Sequence, residues 1–356
     1  MSKESKALAA EAKTKMSGKQ VFDLLLNNAL YILMIIAVIV IQIINPKFLG
    51  PASLVNILNQ TAAYLPAALG IAGCIVLTGT DLSAGRAIGL TACISASLLQ
   101  NPESVNKMWT QIGCLPIPVV LVLVMVLGAV IGIFNGFFVA KFKLHPFIVT
   151  LATQLILFTF MLSYVKMGNN GGMAIASLDK SYTDFIKGSF VEIPDGAGHS
   201  IPIPNYVWLS LILVAVMWFI WNKTTFGKNM FALGANEEAA RVSGVNVMFT
   251  TIAVFALAGA MYGITGFIEG ARVASNNANT GLNYELDAIA ACVIGGVSFV
   301  GGIGRISGVV IGVLLLRLIY IGLNMAHVPP DLFYLVKGGI ILFACALDMR
   351  KYLVKK

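Results

Sequence analysis

Charge is what this chain has least of. Only 11% of its 356 residues are Asp, Glu, Lys or Arg, while 58% are hydrophobic, and the mean hydropathy is +0.86. An ordinary soluble domain carries about 25% charged residues, so a water-soluble enzyme is excluded and an all-α polytopic membrane protein is implied. Cysteine is sparse too. Cys74, Cys93, Cys114, Cys292 and Cys345 are scattered, four of them in apolar runs, which suggests neither a disulfide framework nor a metal site. His145, His199 and His327 are equally isolated. No G-x-x-x-x-G-K-[ST] loop exists, and Ser307 stands where a dinucleotide fingerprint would need its third glycine. The chain is therefore expected to bind no cofactor and to catalyse no reaction itself. The net charge of +8 sits mostly beside apolar runs and does not describe a nucleic-acid surface.

Long apolar runs are abundant. A hydrocarbon core of about 30 Å needs roughly 20 apolar residues per helix. Ten spans are expected, within a count of eight to ten: 24–44, 56–78, 86–100, 117–140, 146–166, 204–222, 248–269, 286–300, 305–325 and 331–348. The segments 86–100 and 286–300 are short, and irregular backbone there requires shelter by protein or a water-filled cavity. Residues 1–20 read as a disordered basic cytoplasmic tail, without the short h-region and cleavage site of a signal peptide. Residues 21–356 form the membrane domain. With the N-terminus inside, sixteen basic residues fall on the inner side and six on the outer, a positive-inside bias that makes both termini cytoplasmic. The same topology places 167–203 outside, as a solvated connector or a receptor contact, and 223–247 inside.

Within that inner loop the run Gly234, Ala235, Asn236, Glu237, Glu238, Ala239, Ala240, Arg241, Val242, Ser243, Gly244 spells a short helix. Asn236 caps it, two acids favour its first turn, Arg241 its last, and Gly244 ends it. Helices this short are marginal alone, so this one needs a surface, and a cytosolic partner is implied. Glycines at four-residue spacing, Gly128/Gly132/Gly136 and Gly304/Gly308/Gly312, let helices approach closely where lipid supplies no hydrophobic drive. Two glycine-rich breaks, 79–86 and 295–305, each end in arginine and hint at a weak internal repeat. Asp81, Glu269, Asp287, Arg317 and Lys337 lie in or beside spans. They read as end caps or interhelical pairs more readily than as proton relays, because only Arg317 sits near a span middle.

The runs Asp81-Leu82-Ser83-Ala84-Gly85, Phe226-Gly227-Lys228 through Gly244-Val245-Asn246, and Glu285-Leu286-Asp287 through Gly295-Gly296 together resemble bacterial ABC permeases for monosaccharides. The likeness covers nearly everything after Gln20 and is strongest to the galactose/methyl-galactoside branch. The resemblance implies an inner-membrane homodimer that forms a path by alternating access. It also implies a cytosolic ATPase with two fused nucleotide sites, which would hold ATP and Mg, and a periplasmic sugar-binding protein. Under it Gly234, Asn236, Glu237, Glu238, Ala239, Ala240, Arg241 and Gly244 would couple to the ATPase. Asp81, Ser83, Glu269, Asn276, Glu285 and Asp287 are the candidate path or gate residues. Arg317 and Asn276-Asn277-Ala278-Asn279 depart from the family pattern. Ribose, another pentose, a nucleoside or an autoinducer-type cargo remain alternatives, as does an ion-coupled carrier. The resemblance implies that sugar specificity resides mainly in the binding protein, and under that reading the spans need no cluster of Asn, Asp and Trp for a sugar ring; none is evident in them.

Overall fold

The computed structural model describes residues 29–194 and 200–353; the expected tail of residues 1–20 lies outside them. The described residues are mostly helical: α1 (Ala29–Ile44), α2 (Pro51–Val76), α3 (Ala84–Leu98), α4 (Ile117–Phe142), α5 (Pro146–Val165) and α6 (Lys180–Lys187), a hairpin of β1 (Ser189–Pro194) and β2 (Ser200–Pro204), then α7 (Asn205–Lys223), α8 (Thr225–Ala235), α9 (Glu237–Val242), α10 (Val247–Val273), α11 (Tyr284–Ile294), α12 (Ile306–Met325) and α13 (Pro330–Leu353). Five of these, α4, α5, α7, α10 and α12, are long and apolar enough to cross a membrane. The short segments anticipated near 86–100 and 286–300 are α3, with 15 residues, and α11, with 11.

Local chemistry sets many boundaries. Proline opens α2, α5 and α13, where its missing N–H costs nothing and its fixed φ suits the first turn. Along the 223–247 loop, side-chain caps follow one another: Thr224 accepts from Gly227 N at 3.1 Å, Asn236 from Ala239 N at 2.9 Å and Asn246 from Phe249 N at 3.0 Å. Each satisfies an N–H that its helix leaves unpaired.

Helix α10 is the hub, packed against α4, α3 and α2. In its most apolar stretch 56% of residues are buried, against 22% for α4 and 33% for α5 and α7. The first belongs to the protein interior, whereas the others leave much of their surface uncovered by the rest of the chain. Glycine makes the central contact possible. A Cβ on Gly128 or Gly259 would strike the other's carbonyl, and one on Gly132 would strike Phe255 O. A second seam joins α12 to α11, where Gly308 and Gly312 lie on the backbone of Gly295 and Ala291. Gly304 meets the Val76 side chain instead.

The long helices run between two ends. At one, the Gly302 N–H donates to Val76 O at 2.9 Å, and the Gly234 Cα lies so close to Val76 O that no Cβ fits. The tip of α2, the break at 295–305 and α8 thus meet there. At the other end, Asn45 Nδ2 donates to Met325 O at 3.2 Å, and Ile175 exchanges backbone hydrogen bonds with Asn276 at 2.7 and 2.9 Å. The described part of 167–203 packs into the main core of the bundle. Tyr182 and Ile186 of α6 are buried, and the Tyr182 hydroxyl donates to Phe267 O. Burial also pushes that phenol well above its usual pKa, so it is a neutral donor.

Candidate functional site

The break after α2 is held by a buried polar chain. Asp81 Oδ1 accepts from Ser83 N at 2.9 Å and Ser83 Oγ at 2.6 Å. Ser83 Oγ accepts from Asn135 Nδ2 at 2.9 Å, and Asn135 Oδ1 accepts from Thr153 Oγ1 at 2.6 Å. Asp81, Ser83 and Asn135 are fully buried. The aspartate closes the turn on itself, and the amide ties that turn to α4 and α5. Because buried polar groups need partners, this chain fixes where α3 starts.

A second chain of ionic and aromatic groups crosses α10, α2, α11, α12 and α13. Arg272 grips Glu269 with two hydrogen bonds, at 2.5 and 2.9 Å, and donates to the Tyr284 hydroxyl at 3.3 Å. Tyr284 stacks on Tyr64 with ring centroids 4.2 Å apart. The Arg317 guanidinium lies 3.4 Å from the Tyr64 ring centroid and donates to Asp287 Oδ2 at 2.6 Å. The other carboxylate oxygen pairs with the Lys337 ammonium and accepts from the Tyr320 hydroxyl at 3.3 Å. Asp287 thus serves two buried cations, a compensation that low dielectric demands.

The six candidate path residues do not form one site. Asp81 and Ser83 share the first chain, and Glu269 and Asp287 belong to the second. The Glu285 carboxylate rests on the Cα of Gly85, where no Cβ would fit, beneath the start of α3. Next to it, Arg86 donates to Ala278 O at 3.0 Å and covers the Phe158 ring at 4.2 Å. Asn276 holds an end loop, donating to Gly270 O at 2.9 Å. Arg272, Tyr64, Tyr284 and Tyr320 were not singled out from the sequence. Only the three-residue step from Glu269 to Arg272 was a local signal that could have drawn attention to one of them. Among the described residues no three His, Cys, Asp or Glu gather as metal ligands.

Two adjoining cavities open beside the second chain. One of about 630 Å³ is bordered by Lys47, Asn56, Gln60, Arg317, Tyr320 and Asn324, with Phe333. The other, about 240 Å³, reaches Asp287, Tyr334 and Lys337. At the opposite end, α9 projects from the bundle. Arg241 pairs with Glu237 at 2.6 Å and with Glu238 at 3.5 Å, all three substantially exposed. Ala240 is buried, Gly244 takes φ +84°, and Val242 and Phe249 are 89% and 65% exposed. An apolar rim beside a charged helix is a shape that an additional protein surface can cover.

Known proteins resemble this chain closely. Residues 53–345 match the family described as branched-chain amino acid transport system / permease component. The galactose/methyl galactoside import permease of Haemophilus influenzae is 44% identical over 335 residues, covering 94% of this chain and 97% of that protein. The protein of that name from Escherichia coli is 42% identical over 96% and 99%. The ribose import permease of Haemophilus influenzae is 33% identical over 94% and 97%. No solved structure matches. With a family match spanning most of the sequence and relatives aligned end to end, this chain belongs to the permease-component family of membrane transport systems.

Proposed function

We propose that the chain is the membrane-spanning permease of a binding-protein-dependent ABC importer for a monosaccharide, D-galactose or a methyl galactoside, in a bacterial inner membrane. The observation that carries this reading is 42–44% identity to the galactose/methyl galactoside permeases over nearly the full length of both chains. The family description names branched-chain amino acids, but the end-to-end relatives are named for sugars, and cargo follows them. The ribose permeases, at 33–34%, supply the second reading.

The chain would cross the membrane ten times with both termini cytoplasmic, two copies enclosing the path. Its α9 end carries Lys141, Lys143, Lys228 and Arg305, as a cytoplasmic face should. ATP and Mg would bind a separate cytosolic ATPase with two fused nucleotide sites, and a periplasmic binding protein would deliver sugar to the other face. The ATPase would grip α9 through Glu237, Glu238, Arg241 and the Val242 rim. A displacement of α8 would pass through Gly234 to the tip of α2 and to Gly302. Packed helices shift between discrete arrangements rather than bending continuously, so that push would tilt α2 and α12 and alternate access at their far ends. The test is reconstitution of the permease with its ATPase and binding protein in vesicles. ATP-dependent galactose accumulation is expected, outcompeting ribose at equal concentration. Ribose winning would select the second reading, and uphill uptake by the permease alone would overturn the proposal.

A further inference from the structure

The larger cavity has a chemistry of its own. On α2, Asn56 and Gln60 stand one turn apart with Tyr64 one turn deeper, so side chains at i, i+4 and i+8 form a polar stripe down one face. Facing them on α12 are Arg317, Tyr320 and Asn324, spaced to share a face likewise. The floor is the Arg317 guanidinium over the Tyr64 ring, with Lys47 at the rim. Among the described residues no hydrogen bond engages the side-chain amides of Asn56, Gln60 or Asn324. Each presents two donors and an acceptor to the cavity. Tyr320 and Phe333 add parallel rings, centroids 6.1 Å apart and planes 8° from each other.

We infer that this cavity is a recognition site for a neutral pyranose within the permease itself. Amides that both donate and accept match hydroxyl groups, which do the same, and flat aromatic rings match the C–H face of a sugar ring. A volume of about 630 Å³ lies within the 300–1,000 Å³ range of small-molecule pockets. Charge alone does not choose the ligand: Asp287 is shared by Arg317 and Lys337, which leaves one net positive charge at the floor, and Lys47 is exposed at the rim, whereas the groups lining the centre are uncharged amides and rings. Asn56 and Asn324 are themselves exposed, so water competes for every contact and binding is weak, as suits a station from which sugar must depart. The inference rests on the transport reading above and adds that the permease, besides the binding protein, selects its cargo.

The test uses the full chain with Cys114, the exposed native thiol, replaced by Ala. Asn56→Cys, and separately Asn324→Cys, report access to a water-soluble maleimide. D-galactose should slow labelling at both positions by at least threefold, relative to the same concentration of D-mannitol, an acyclic polyol without a ring face. Adding Gln60→Ala should weaken that protection by about 3- to 10-fold, the loss of roughly one hydrogen bond. Equal labelling in galactose and mannitol would overturn the inference, as would protection by inorganic phosphate but not by galactose. Accumulation by the wild-type importer is measured in parallel. Uptake without protection sinks this inference alone, whereas absent uptake sinks the transport reading.

Discussion

Arg241 and Asp287 each gather two opposite charges, but they do so in different solvents. Around Arg241 the guanidinium, Glu237 and Glu238 side chains are 44%, 50% and 76% exposed. Around Asp287 the three side chains are between 7% and 11% exposed. Exposed ion pairs contribute about 0–1 kcal/mol and fade with salt. A buried pair contributes little net stability, yet losing one partner strands a charge in low dielectric. The exposed cluster is therefore free to be used by another surface, while the buried one fixes how α11, α12 and α13 meet.

The sharpest way to break that contrast is Asp287→Ala, which leaves Arg317 and Lys337 facing each other. A loss of about 3–5 kcal/mol is expected, seen as a large drop in thermal unfolding temperature in detergent or as failure to accumulate. Arg317→Met should cost clearly less, because Asp287 keeps Lys337. If the two variants unfold together, the shared-carboxylate account is wrong.

Next in size is Gly132→Ala, which puts a methyl group into the Phe255 carbonyl in the α4–α10 seam. Overpacking of this kind costs about 1–3 kcal/mol. The control is Gly244, which has open space around it but a φ of +84°. Gly244→Ala would be strained locally, fraying the end of α9 without loosening the bundle. Limited proteolysis distinguishes a frayed loop from a loosened core.

What could be read from the amino acids follows the same division. The Asn236 cap, the Glu237–Arg241 pair and the turn at Gly244 are interactions over four residues or fewer, and their spacing is printed in the chain. Gly128, Gly132 and Gly136 announced a smooth helix face because a repeat of four marks one side of a helix. The partner of Arg317 lies 30 residues away, on another helix, so Arg317 looked anomalous until the packing supplied Asp287. The cavity was hidden for the same reason. Asn56 and Gln60 form a polar pair on α2, but without Asn324, Tyr320 and Phe333 opposite they resemble isolated surface amides. Asp81 and Asp287 were placed at span ends; their burial follows from α3 and α11 being short helices enclosed by the bundle.

Asn236→Ala removes the oxygen that accepts from Ala239 N at 2.9 Å. Losing an N-cap costs about 1 kcal/mol of helix stability, and α9 has only 6 residues over which to recover it. Amide exchange should therefore quicken in 237–243 and stay unchanged in α10, whose start carries its own cap at Asn246. Uniform exchange across both helices would mean that docking against α10, rather than the cap, holds α9 in place.

The smallest change to the fold should carry the largest change in transport. Replacing Glu237, Glu238 and Arg241 together by Ala removes exposed ion pairs whose net worth is a fraction of a kcal/mol, so unfolding temperature and abundance should match wild type. If α9 is where an ATPase grips, the same protein should show uptake near background in reconstituted vesicles, and added salt should move the wild type part of the way toward that state by screening. The contrast with Asp287→Ala is then complete: one cluster lost with the fold, the other lost with function alone. Full uptake by the triple variant would shift the coupling surface to the apolar Val242 rim.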